Sequence, residues 1–109
     1  MEEAKDNEFL SEKIELEEAL VKIEFELNSC LEDFEKLNGV KLDEINDLIK
    51  DMEATATIFN KQFYDDYVKF KVDFNFFVTN FEEMKRYKVE IHMEDFLDMI
   101  ELLKKDLYS

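Results

Sequence analysis

Apolar residues recur along most of this chain at steps of three and four. Between residues 45 and 84 they stand at Ile45, Leu48, Ile49, Met52, Ala56, Phe59, Phe63, Tyr67, Phe70, Phe74, Phe77, Phe81 and Met84. That spacing draws a single stripe along one side of a helix. No glycine or proline interrupts it, so the pattern predicts one helix about 60 Å long at ~1.5 Å per residue. Upstream, Phe9, Leu16, Leu20, Ile23, Leu27, Leu31, Phe34 and Leu37 share another helical face, with Ala19 and Cys30 beside it. A shorter stripe of Leu10, Ile14, Val21 and Phe25 widens that apolar surface, so the first helix is expected to meet two neighbours. Near the end, Phe96, Met99, Ile100, Leu103 and Leu107 line one face. Glu94 and Asp95 precede them, where the helix dipole favours negative charge.

Punctuation between these stripes is sparse. Asn38-Gly39 reads as the close of the first helix, with Gly39 in the left-handed position that follows a helix end, and Asp43 as the N-cap of the next. The expected fold is all-α and a single domain over residues 1–109. It is an antiparallel hairpin of two long helices, 8–38 and 43–86, with a short C-terminal helix at 94–108 after a break at 87–93. Residues 1–7 form a frayed acidic lead-in. In this hairpin Lys61, Lys69 and Lys71 lie near Glu12, Glu15 and Glu18.

A two-residue period competes with the helical one. Val68, Phe70, Val72, Phe74, Phe76 and Val78 alternate with mostly polar residues, and Tyr87, Val89, Ile91 and Met93 do so again. The alternative is therefore an α+β fold with a β-hairpin at 67–78/86–93. The intervening 79–85 segment holds no glycine and reads as helical, which favours the all-α fold. Val21, Ile23, Phe25 and Leu27 also alternate, and Ser29 with Glu32 matches a capping box. Both local signals yield to the longer stripe.

Charge narrows the function. The chain carries 29 acids against 14 bases, a net charge of −15, which disfavours direct contact with nucleic acid or anionic lipid and favours a basic partner. Residues 1–38 hold 13 acids and 4 bases, whereas 67–89 hold 3 acids and 5 bases. The aromatic segment is thus the one net-basic stretch. Residues 1–8 are polar and do not read as a secretory signal, no apolar run reaches the length of a membrane span, and a lone cysteine fits a reducing compartment. The expected location is the cytoplasm, a host cytoplasm if the chain is phage-encoded.

Chemistry is largely absent from the pattern. His92 is the single histidine, and one histidine with one cysteine falls short of a structural zinc site. It reads as a solvated residue at a helix boundary. Cys30 lies on the apolar stripe with no histidine nearby to activate it, as a buried structural cysteine does. A single glycine rules out a glycine-rich phosphate loop. No catalytic residue, metal or cofactor is expected. Asp66 and Asp73 edge the main stripe as boundary residues.

Two surfaces remain as candidates. Acids at Glu8, Glu15, Glu18, Glu26 and Asp33 mark an acidic face on the first helix, able to occupy a basic groove as a nucleic-acid backbone does. Tyr64, Val68, Val72 and Phe76 form a second stripe on the aromatic segment, suited to a partner or a second copy. The leading expectation is a non-enzymatic inhibitor acting by charge mimicry on a basic, nucleic-acid-binding protein, in the manner of phage or mobile-element counter-defence proteins. The alternative is a structural or chaperone-like helical subunit that dimerises or docks through its aromatic stripe.

Overall fold

A computed structural model describes residues 9–108. Five α-helices fill them: α1 (Leu10–Glu32), α2 (Gly39–Asp51), α3 (Glu53–Phe59), α4 (Lys61–Asn80) and α5 (Arg86–Leu107). Short 3-10 turns at Phe34–Lys36 and Phe81–Glu83 lead into α2 and α5. There is no strand among the described residues. The all-α expectation holds, and the β-hairpin at 67–78/86–93 is replaced by helix.

Contacts between side chains give the topology. Lys41 Nζ lies 2.9 Å from Glu26 Oε2, and Thr55 donates to Glu15 at 3.1 Å, so α2 and α3 descend beside the ascending α1. Asn46 donates to Asn75 at 3.3 Å, and Lys71 pairs with Glu53, which sets α4 antiparallel to α2 and α3. Phe96 of α5 meets Phe70, Phe74 and Phe77 of α4 with ring centroids 5.0–6.0 Å apart. Lys104 Nζ, 2.7 Å from Glu24 Oε1, then returns α5 to α1. The result is an up-down-up-down bundle with α2 and α3 together as its second member, extending 53 × 21 × 20 Å.

The long helix read over 43–86 is thus two bundle members. The chain reverses at Asn60, whose extended backbone ends α3 and whose side chain accepts the Phe63 N–H at 2.7 Å. An asparagine cap supplies the turn without glycine or proline, because it satisfies a helix-start amide that has no partner in its own helix. A smaller break falls at Met52, where the Met52 N–H bonds the Ile49 carbonyl at 3.2 Å in a tightened turn. The Tyr67 hydroxyl donates to that same carbonyl at 2.5 Å.

Two other boundaries differ from expectation. Asn38, not Asp43, caps α2, accepting the Lys41 N–H at 2.9 Å, and Gly39 is the first helical residue with no positive φ. The last helix begins at Arg86, so 87–93 is helical and α5 is three times the length of α3. The frayed lead-in predicted for 1–7 lies outside the described residues.

The core is close to the stripes read from the sequence. Leu16, Leu20, Ile23, Leu27 and Cys30 of α1 meet Leu42, Ile45 and Ile49 of α2, Phe63, Tyr67, Phe70, Phe74 and Phe77 of α4, and Val89, Met93, Phe96, Ile100, Leu103 and Leu107 of α5. Burial of each large apolar side chain stabilises by about 1.5–3 kcal/mol before conformational entropy is counted. Burial also pushes the Cys30 thiol above its ordinary pKa, leaving it a packed apolar residue.

Candidate interaction face

Helix α1 carries apolar residues on opposite sides. Its inward side is core. Its outward side shows Leu10 at 48%, Ile14 at 49%, Val21 at 49% and Phe25 at 69% of full exposure. These are the second stripe of the sequence, expected to meet another neighbour. The inner stripe meets both α2/α3 and α5, and the outer stripe takes no part in the core. Ile14, Glu17, Glu18, Val21, Lys22 and Phe25 surround an open hollow of about 570 Å³.

The acids of α1 sort by the direction they point. Glu17 and Glu24 lean toward α5, where Glu17 accepts from the Tyr108 hydroxyl and Glu24 pairs with Lys104. That hydrogen bond from Lys104 holds the Glu24 carboxyl below its ordinary pKa. Glu15 and Glu26 lean toward α3 and α2, bonded to Thr55 and Lys41. The Glu26 bond in turn raises the Lys41 pKa. Glu18 alone of these points outward, at the edge of the hollow beside Lys22, exposed and without a hydrogen bond or ion pair to any described residue.

The predicted acidic face is therefore only partly brought together. Glu8 lies outside the described residues. Asp33 falls beyond the end of α1 and caps the following 3-10 turn by accepting the Glu35 N–H at 3.1 Å. Glu15 and Glu26 remain at the edge of α1, engaged with neighbouring helices. Lys71 answers Glu53 and Lys61 answers Asp65, so neither offsets the acids of α1 as the predicted hairpin had it. Those pairs are too exposed to contribute more than about 1 kcal/mol each.

The aromatic stripe divides as well. Tyr64 and Val68 are half-buried against the core, while Val72 and Phe76 stand 57% and 62% exposed on the outside of α4. His92 is not a boundary residue: it sits within α5 with its ring 5.7 Å from Phe77 and 6.4 Å from Phe96. It borders a shallow hollow with Asp73, Phe76, Asp95 and Met99. Among the described residues no cluster of three or more His, Cys, Asp or Glu side chains could hold a metal ion. No described helix is long and apolar enough to cross a membrane.

The combination on α1 is not evident from the stripes alone: the sequence pattern sets Ile14, Val21 and Phe25 apart as a packing stripe and Glu18 as one of a row of acids. Their angular position was legible, since residues 14, 18, 21 and 25 fall within a narrow arc at 100° per residue. No family model, curated protein or solved structure matches the chain.

Proposed function

We propose that this chain is a non-enzymatic acidic binding protein that seats the outer face of α1 on a basic surface of a protein partner. The observation that carries the reading is an exposed apolar stripe bordered by carboxylates on a chain of net charge −15. Apolar side chains supply affinity where they are desolvated at the centre of an interface, and the surrounding charge steers and selects the partner. If the partner surface is one that otherwise grips nucleic acid, occupancy displaces the nucleic acid, and the chain acts as an inhibitor by charge mimicry.

The test is capture of partners by the full chain, followed by salt titration and competition with duplex DNA and RNA. Affinity should fall steeply between about 50 and 500 mM NaCl, and charge reversal at Glu18 should weaken it. Binding indifferent to salt contradicts the proposal. A second reading, a structural or chaperone-like subunit, draws on the exposed Val72 and Phe76 of α4. It expects salt-tolerant association that is lost in Phe76→Glu.

A further inference from the structure

Building on that basic-partner reading, we infer that the outer face of α1 receives a single amphipathic helix of a partner protein, laid along residues 14–25 with a lysine or arginine opposite Glu18. The form of the occupant follows from the form of the face. Ile14, Glu18, Val21 and Phe25 advance by four, three and four residues on an unbroken helix. Side chains at those steps present the knobs and holes into which a second helix packs. From Leu10 to Phe25 the stripe runs about 22 Å, which four turns of a partner helix cover.

Glu18 determines the chemistry of the occupant. It stands at the edge of the seam, lining the same hollow as Ile14, Val21 and Phe25. Packing a helix over Ile14, Val21 and Phe25 takes water from its carboxylate, an unfavourable change unless a cation meets it. No described residue forms an ion pair with it, Lys22 of the same hollow included, which leaves its carboxylate to a cation of the occupant. The rest of α1 selects in the same direction. Residues 10–32 hold seven acids and two lysines, so a second copy of α1 meets like charge along its length, whereas a basic helix meets complement. Anionic lipid is repelled for the same reason.

A synthetic probe tests this without knowledge of the natural partner. The probe is a labelled amphipathic peptide of about 18 residues, enough for five turns, with leucine on its seam and lysine on both flanks, titrated into the full chain. We expect saturable binding that weakens by about tenfold or more in Phe25→Glu, and several-fold in Glu18→Gln, while Phe76→Glu on α4 leaves it unchanged. All three positions are exposed, and circular dichroism confirms that each variant stays folded. The same peptide with glutamate flanks should not bind. Equal binding of the glutamate peptide, or indifference to Phe25→Glu, overturns the inference. A dimer of the chain alone that Phe25→Glu dissolves overturns it in favour of a second copy. Unstructured poly-lysine separates the two levels of the account. If it binds in a salt-sensitive way while the helical peptide does not, the helical occupant is wrong and the basic-partner reading stands. If neither binds, both fail.

Discussion

Phenylalanine does two different things in this bundle. Between α4 and α5, Phe70, Phe74, Phe77 and Phe96 form a closed cluster, all within 2% of complete burial and all in ring contact with one another's neighbours. On α1, Phe25 stands 69% exposed beside Val21 and Ile14. Residue type and helical spacing are alike in the two places. The difference lies in what the chain folds back over each: α5 lies on the first, and nothing described lies on the second. The comparison separates side chains that hold the bundle from side chains that the bundle presents.

Substitutions should divide along that line. Phe74→Ala opens a cavity beside three other rings and should cost about 3–5 kcal/mol, read as a shift in the urea midpoint. A loss comparable to a surface change would mean that the aromatic cluster is not the core. Asn60→Ala removes the cap that lets α4 start and turn back, and should cost about 1 kcal/mol in the same assay. No loss would mean that the reversal is fixed by packing alone.

A pH effect of similar size comes from the same end of the bundle. Asp106 is buried near the end of α5, and burial together with a hydrogen bond to Asp66 raises its carboxyl to about 6. Folding therefore favours the protonated acid. Stability should rise as pH falls from about 7.5 to about 5 and should be lost again as pH climbs back through the raised value. Asp106→Asn should be more stable than the parent at pH 7.5, by roughly 1 kcal/mol, and should flatten this dependence. A parent chain that weakens steadily over that interval contradicts the assignment. Below it, protonation of Glu24 removes the charge that pairs with Lys104, so stability should decline. The smallest effect is expected at Phe25→Ala, within about 0.5 kcal/mol of the parent. A core-sized loss there would erase the distinction between the two regions.

The sequence made the inner surfaces readable and hid the turns. Ile45, Ile49, Met52, Ala56, Phe63, Tyr67, Phe70, Phe74 and Phe77 share one stripe in the sequence, and all are buried. The pattern draws one helix there because the steps of three and four run on through Ala56, Phe59 and Phe63 across the reversal itself. Asn60 marks the turn through its side-chain hydrogen bond, a signal that one of seven asparagines carries weakly in the sequence. The rival strand pattern has a matching explanation. On α5, Val89 and Met93 point inward while Tyr87 and Ile91 point outward. Two such stripes, each spaced by four and offset by two, imitate alternation. Phe70 and Phe74 against Val72 and Phe76 repeat the effect on α4. The candidate site was legible in its parts, since periodicity placed Ile14, Val21 and Phe25 off the main stripe. What periodicity lacks is the partner count of each face, which only the packed bundle reveals.

The most direct test of the presented face is a map of backbone amide shifts in the full chain as the lysine-flanked helical peptide is added. The account predicts perturbations concentrated on residues 10–25 of α1, greatest around Glu18 and Phe25, with α4 silent at Val72 and Phe76. Perturbations centred on α4 and absent from α1 would contradict it.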